Sequence, residues 1–341
     1  MTTRMFAEAA ESHDAVARQL VVNRDALRAL AESLRADPPR AVATCARGSS
    51  DHAATYLKHL VETRVGLLVT SISPSVASLY RARPAMTGAL AIGLSQSGKS
   101  PDLVAAMRAA HDGGARTLAM VNVVESPLAA DADAVLPLHA GPELSVAATK
   151  SFLALLTAAA ALTAEWADDA ELRRAVESLP DLLAQAWSCD WAALPDALAD
   201  ARGLYVIGRG PGFGAAQEAA LKLKETCGLQ AEAFSAAEVR HGPMALIGPE
   251  LPLLVFRQDD ASADGIDALV ADAIDRGATV LVASDAAPIA GATRLPLPTA
   301  HPALAPVAAV QAFYRAANAL ALARGFDPDR PPHLKKVTET V

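Results

Sequence analysis

The chain has 341 residues, of which 52% are hydrophobic and 4% aromatic, and its formal net charge is −8. This length fits two domains of ordinary size, and an acidic chain without a basic run argues against a nucleic-acid partner. Cys45, Cys189 and Cys227 are odd in number and lack metal-ligand spacing, so we expect a reducing, cytoplasmic location. We also expect no metal and no cofactor. Cys45 and Cys227 are expected to act as small core residues.

Residues 5–35 predict one amphipathic helix and lack the apolar core of a signal peptide. Strands and helices then alternate up to a long helix expected from Val146, which predicts a parallel sheet with helices on both faces. The apolar run Phe152 to Ala164 is too short to span a bilayer, so we expect a buried helix and no membrane association.

A serine-rich turn, LSQSGKSPDL, separates a predicted strand from a predicted helix. Ser100 fits the N-cap position of that helix, with Pro101 and Asp102 in its first turn. The preceding Ser95-Gln96-Ser97 segment therefore lies at the positive end of a helix dipole, where phosphates bind.

A second turn, CARGSSDHAA, repeats this plan and carries Ser49 and Ser50. One such turn fits an ordinary helix cap equally well, because helix N-termini bind anions generically. Two such turns in one domain favour a phosphate ligand.

The pattern restarts in the second half of the chain. Residues 204–225 mirror residues 41–62: Arg47 and Arg209 are 162 positions apart, and Gly114 and Gly277 are 163 apart. This agreement indicates an internal duplication. The counterpart of Ser95-Gln96-Ser97 is Gln258-Asp259-Asp260, whose carboxylates would repel a phosphate. We therefore expect one sugar-phosphate site per chain, in the first copy.

The expected organisation has five parts. They are an N-terminal helix (1–35), a first domain with the phosphate site (36–165), a helical connector (166–200), a second domain (201–325) and a C-terminal tail over the active site (326–341).

Six sequence blocks carry a resemblance to a known family: RGSSDHAA, SQSGKSPD, GPELSVAATKSF, EAALKLKE, AEAFSAAEVRHGPMALI and HLKKVTE. In this order they resemble the SIS (sugar isomerase) family, in particular the isomerase half of glucosamine–fructose-6-phosphate aminotransferases. The resemblance implies an α/β fold of two tandem SIS domains, each a doubly wound parallel sheet flanked by helices.

The resemblance also implies a set of substrate contacts. The residues that would bind the sugar phosphate are Ser49, Ser50, Ser95, Gln96, Ser97, Ser100, Val146 and Ala148. Two positions depart from the family: Ala148 stands where the family has a serine, and Lys99 stands where the aminotransferases have an acid.

The implied catalytic residues are Glu225 as acid and base at carbons 1 and 2, Lys222 at the open-chain sugar oxygen, His241 for ring opening and Lys336 to close the site. Lys222 and Glu225 are three residues apart and share one helix face. Glu218 is four residues before Lys222, so a surface salt-bridge stripe is the alternative interpretation of this helix. In the family the histidine comes from the neighbouring subunit, which implies a homodimer. Glu238 would orient His241 or cap a helix.

The aminotransferases begin with a glutaminase domain whose terminal cysteine releases ammonia, whereas this sequence begins with MTTRMF. We therefore expect the reverse reaction on an amino sugar phosphate, that of a glucosamine-6-phosphate deaminase, and the DPDRPPHLKKVTETV tail also resembles that subgroup. Two alternatives stay open: another SIS phosphosugar isomerase or deglycase, and a non-catalytic sugar-phosphate sensor.

Overall fold

A computed structural model of the chain describes residues 2–334 and Lys336. Over these residues the chain forms two compact units. The first-copy unit comprises residues 14–143, 150–177 and Lys336, and the second-copy unit comprises residues 2–13, 144–149 and 178–334. No helix of the described residues combines the length and apolar character needed to cross a membrane.

Helices and strands alternate along both copies. The helices are α1 Arg4–Ala10, α2 Ser12–Ala36, α3 Ser49–Arg64, α4 Pro74–Ser78, α5 Pro101–Asp112, α6 Pro127–Ala130, α7 Lys150–Trp166, α8 Ala170–Glu177, α9 Leu179–Trp187, α10 Ala193–Leu198, α11 Gly212–Cys227, α12 Ala263–Asp275 and α13 Ala305–Ala323. The strands are β1 Ala41–Cys45, β2 Val69–Ser71, β3 Ala89–Ser95, β4 Arg116–Val121, β5 Ala134–Pro137, β6 Gly203–Gly208, β7 Gln230–Ser235, β8 Leu253–Phe256, β9 Val280–Ser284 and β10 Thr293–Pro296.

Each unit contains one five-stranded parallel sheet. The strand order is β2-β1-β3-β4-β5 in the first-copy unit and, written in the same direction, β7-β6-β8-β9-β10 in the second-copy unit. The two orders correspond strand for strand, which fits the duplication seen in the sequence. The prediction of an α/β fold with two tandem parallel sheets flanked by helices is confirmed.

The core of each unit is built from aliphatic side chains between sheet and helices. Strands β3 and β4 are buried along almost their whole length, as expected for a parallel sheet covered on both faces. Helix α7 is buried on nearly every side, so the predicted buried helix at Phe152 to Ala164 is confirmed.

The N-terminal segment differs from the prediction of one helix. It forms α1 and α2, separated at Glu11. The Ser12 hydroxyl donates to the Ala9 carbonyl at 2.8 Å, a local bond that competes with helical hydrogen bonding. The break lies close to the boundary between the two units, which falls between His13 and Asp14.

The expected start of a helix at Val146 is also wrong, since α7 begins at Lys150. In the second-copy unit the buried carboxylate of Glu8 accepts the backbone N–H of Leu144 at 2.5 Å and that of Ser145 at 3.1 Å. Residues 144–149 form a loop, and the carboxylate of Glu143 accepts the Ser151 N–H at 3.1 Å in the first turn of α7.

Candidate active site

In the turn after β3, backbone N–H groups donate to the hydroxyls of two serines in the same turn. Gly98 N–H donates to Ser95 Oγ at 2.9 Å, and Lys99 N–H donates to Ser97 Oγ at 3.3 Å. Gly98 has a φ of +64°, and a Cβ at this position would collide with the Ser126 hydroxyl. The turn is therefore tightly fixed, and it holds Ser95 and Ser97 at the end of a buried strand.

Ser100 occupies the N-cap position of α5 as predicted, with φ −61° and ψ 119°. Within the described part of the chain, the Ser100 side chain makes no capping hydrogen bond to α5. One reason lies in the first turn, where Asp102 Oδ1 accepts the N–H of Leu103 at 2.8 Å. The partly exposed Ser100 hydroxyl is not used for capping.

Ser49 and Ser50 begin α3 and are partly exposed. The residue before them, Gly48, has a φ of +53°, a backbone conformation that favours glycine. Strand β1 pairs with β3 in parallel, with Cys45 opposite Gly93. The carboxyl ends of neighbouring parallel strands meet at one edge of a sheet, so the two serine turns lie side by side.

The predicted Glu225 and Lys222 meet on α11. Lys222 Nζ lies 2.5 Å from Glu225 Oε2 and 3.3 Å from Glu218 Oε1. The side chains of Glu218 and Lys222 are 0% and 1% exposed, whereas that of Glu225 is 20% exposed. The alternative of a surface salt-bridge stripe is therefore wrong for these residues. Lys224 is exposed, as predicted.

Lys222 is an ammonium held between two carboxylates. Burial on its own would lower the pKa of Lys222, but the negative charges of Glu218 and Glu225 outweigh burial and raise the pKa above its usual value. The Tyr314 hydroxyl on α13 donates to Glu218 Oε1 at 3.0 Å. This arrangement keeps Lys222 positively charged and leaves the Glu225 carboxylate partly open to solvent.

Lys336, predicted to close the site from the C-terminal tail, has a partner in the first-copy unit. Its Nζ lies 3.4 Å from Glu143 Oε2. Glu143 is buried and also accepts the Ser151 N–H at 3.1 Å and the Ser151 hydroxyl at 2.6 Å. One carboxylate thus holds both the tail lysine and the start of α7. The rest of the HLKKVTE block, apart from His333, Leu334 and Lys336, lies outside the described residues.

The other predicted site residues belong to the second-copy unit. Val146 and Ala148 are partly exposed on the 144–149 loop. His241 ends a short 3-10 helix, Glu238–His241, and is exposed, as is Glu238. The expectation that His241 completes a neighbouring subunit's site remains a prediction.

The cysteines predicted as core residues are buried in the structure. Burial raises the pKa of Cys45 to about 12 and that of Cys227 to about 11, so both remain neutral thiols near neutral pH.

Three residues at or next to these groups were not predicted from the sequence: Asp102 beside the serine turn, Glu143 and Tyr314. Glu143 lies inside a recognised sequence block, which was the one available signal. Asp102 was expected only to favour a helix start, and Tyr314 is 96 positions from its partner Glu218.

Comparison with known proteins places this geometry in a family. The model of the SIS domain matches residues 38–164 and 197–323. The glutamine–fructose-6-phosphate aminotransferase (isomerizing) of Zymomonas mobilis is 33% identical over 311 residues, which cover 86% of this chain and 51% of that protein. The enzyme of Halobacterium salinarum is 36% identical over 304 residues, covering 85% of this chain and 50% of that protein. The chain thus spans about half the length of these relatives.

Two solved structures match over nearly their whole length. A candidate phosphosugar isomerase from Silicibacter pomeroyi is 41% identical, with a TM-score of 0.91 over 96% of this chain and 100% of that chain. Glucosamine-6-phosphate deaminase from Thermotoga maritima has a TM-score of 0.80 over 99% of this chain and 100% of that chain. Its 21% identity makes it a likeness of fold alone.

Proposed function

The chain belongs to the SIS domain family, and we propose that within this family it is a glucosamine-6-phosphate deaminase. The reaction would convert the amino sugar phosphate and water into fructose 6-phosphate and ammonia. The observation that carries the proposal is the α11 arrangement, in which a buried ammonium, Lys222, contacts the partly open carboxylate of Glu225.

Glu225 would do the central chemistry. A carboxylate above carbons 1 and 2 of an open-chain sugar takes the proton from carbon 2 and returns it to carbon 1, through an enolamine. The neighbouring Lys222 stays charged because Glu218 and Glu225 raise its pKa, so it can stabilise negative charge on the sugar oxygen. Water then adds to the resulting imine at carbon 2, and ammonia leaves.

The remaining residues bind and enclose the substrate in this proposal. Hydroxyls and N–H groups of the two serine turns hold the phosphate at the N-termini of α3 and α5. His241 of a second subunit moves a proton during ring opening, a step suited to an imidazole near neutral pH. Lys336, held by Glu143, covers the sugar with the tail.

The proposal that ammonia is released is supported by the similarity to the aminotransferases. The names of these aminotransferases combine amino transfer with isomerisation and include fructose 6-phosphate. A site that catalyses the isomerisation in one direction also catalyses it in the other. A plain phosphosugar isomerase is the second candidate, favoured by the 41% identity to the Silicibacter pomeroyi protein. Both candidates use Glu225 and differ in the substituent on carbon 2.

Incubation with glucosamine 6-phosphate tests the proposal. The protein should release ammonium and fructose 6-phosphate in equal amounts, without added metal or glutamine. Glu225→Gln should lower kcat by about 10²–10⁴-fold and stop exchange of the carbon-2 proton with solvent, while substrate still binds. Glu250→Gln makes the same chemical change on an exposed turn and should leave kcat unchanged.

Interconversion of phosphosugars without ammonium would replace the deaminase by the isomerase. Near wild-type turnover of Glu225→Gln would contradict both candidates.

A further inference from the structure

An ion pair joins the two serine turns of the first-copy unit. Arg47, two residues before Ser49, donates from Nε at 3.0 Å and from Nη2 at 2.7 Å to Asp102 Oδ2. Asp102 lies in the first turn of α5, two residues after Ser100. Arg47 and Asp102 thus link the start of α3 to the start of α5.

The two partners differ in exposure. The Asp102 side chain is 1% exposed, whereas that of Arg47 is 52% exposed. A buried carboxylate is costly unless it is paired and hydrogen-bonded. Asp102 meets this condition through Arg47 on one oxygen and the Leu103 N–H on the other.

The position of Asp102 matters for an anion at the neighbouring turns. The Ser49-Ser50 and Ser95-Gln96-Ser97 groups carry no charge, and the charged residues next to them, Asp51 and Lys99, are exposed to solvent. Asp102 differs from these two because it places a buried negative charge beside the second turn. Its field would oppose a phosphate, because like charges repel strongly where water is excluded. The guanidinium of Arg47 cancels that charge where it arises.

We propose that Arg47 is a positioning residue that acts through Asp102. It neutralises the buried carboxylate and ties the first serine turn to the second, so that the sugar phosphate meets a cradle without net negative charge. The identity of the sugar rests on the proposed function, whereas the effect on phosphate does not.

The chain offers a matched control on the same helix. Arg108 Nε lies 2.7 Å from Asp131 Oδ2, and these side chains are 59% and 32% exposed. This pair starts from α5, like Asp102, but joins it to the end of α6 and not to a serine turn. The variant Arg108→Met therefore measures the general effect of removing an arginine from an ion pair in this unit.

The test measures binding of inorganic phosphate by calorimetry and its competitive inhibition constant against glucosamine 6-phosphate. The variants are Arg47→Met, Asp102→Asn, the double variant and Arg108→Met. We expect Arg47→Met to weaken phosphate binding at least tenfold and to raise KM by a similar factor, with a smaller effect on kcat. Arg108→Met should leave all three quantities unchanged.

The double variant separates neutralisation from direct contact. If Arg47 acts through Asp102, Asp102→Asn in the Arg47→Met background restores a large part of the lost affinity, and Asp102→Asn alone binds phosphate at least as tightly as wild type. A double variant as weak as Arg47→Met would overturn the proposal, because the loss would then come from a contact of Arg47 itself. Unchanged phosphate affinity in Arg47→Met would also overturn it.

Thermal unfolding of each variant shows whether it is folded, so that a loss of phosphate affinity can be told apart from a loss of structure. Arg47→Lys retains the charge and should keep most of the affinity, even if Arg47→Met is too unstable to assay. A loss of phosphate affinity of tenfold or more in a folded Arg47→Lys would leave no role for the charge and would overturn the proposal. Phosphate binding is measured without turnover, so an absent deaminase activity would refute the proposed function and leave this proposal to be decided by the affinities.

Discussion

The turns after β3 and β8 occupy the same place in the two copies, yet their side chains are used in opposite ways. After β3, Ser95 is a short hydroxyl that fixes its own turn through Gly98. After β8, the corresponding Gln258 crosses to the neighbouring turn, where its amide donates to the Arg209 carbonyl at 2.7 Å. A Cβ on Gly212 would lie only 2.5 Å from Gln258 Oε1. The glutamine side chain thus fills the space at the start of α11.

The charges of the two turns differ as well. Asp260 accepts the Ser262 N–H at 2.8 Å and its hydroxyl at 2.5 Å, so a carboxylate takes up the groups at the start of α12. Asp259 is exposed beside Arg257. The comparison teaches that two copies of one strand–turn–helix arrangement can differ in what their turns offer a ligand. An internal amide and a carboxylate occupy the second-copy turn, where an anion would have to bind if that turn worked as we propose for the first copy.

Ser97→Ala and Asp260→Asn give the largest expected contrast between the copies. A hydrogen bond to a charged group contributes about 1.5–3 kcal/mol, which corresponds to a rise in KM of about 10–150-fold. Ser97→Ala should therefore raise KM for glucosamine 6-phosphate by such a factor, and Asp260→Asn should leave it unchanged. Steady-state kinetics on both variants measures the two KM values, and equal KM values would contradict the predicted difference between the copies.

Gly48 and Gly210 give a contrast between two glycines with similar φ angles. Their φ angles are +53° and +57°, and a Cβ at either position meets no atom closer than 3.7 Å. Alanine at either position should lower the free energy of unfolding by about 1–3 kcal/mol, because a side chain disfavours a positive φ.

The two glycine variants should differ in catalysis. Gly48→Ala should also raise KM several-fold, since Ser49 and Ser50 follow directly, whereas Gly210→Ala should change stability alone. Denaturant unfolding together with kinetics separates the two effects. A rise in KM for Gly210→Ala would show that the second-copy turn takes part in substrate binding.

Gln258→Ala should have the smallest effect on catalysis. The variant removes the partly buried hydrogen bond from the Gln258 amide to the Arg209 carbonyl, and a bond of this kind contributes about 0.5–1.5 kcal/mol. We expect a lower unfolding free energy, unchanged KM and no new phosphate site, because Asp259 and Asp260 remain. Phosphate binding gained by Gln258→Ala would mean that the amide alone blocks the second copy.

The repeated fold could be predicted from the sequence because it depends on local patterns. Alternating apolar runs and turns indicated two parallel sheets, and the 3-residue spacing placed Lys222 and Glu225 on one helix face, where their side chains meet. What could not be predicted depends on long-range partners. The loop over residues 144–149 is held by Glu8, whose carboxylate accepts the N–H of Leu144, 136 positions later in the chain.

In the candidate site, too, local features could be predicted from the sequence and long-range partners could not. Serines at the ends of strands are visible in the sequence, but their charge environment is not. Asp102 fitted a helix start by its position, and only its pairing with Arg47, 55 positions away, shows a buried ion pair. Gln258 was expected to differ from Ser95 by its chemistry, but its bond to Arg209 could not be predicted without the register of β8 beside β6.

The number of phosphate sites per chain tests the account most directly. Calorimetric titration with glucosamine 6-phosphate, on a Glu225→Gln background that prevents turnover, gives the stoichiometry. The account predicts one site per chain, weakened by Ser97→Ala and unaffected by Asp260→Asn. Two sites per chain, or a single site that Asp260→Asn weakens and Ser97→Ala does not, would contradict it.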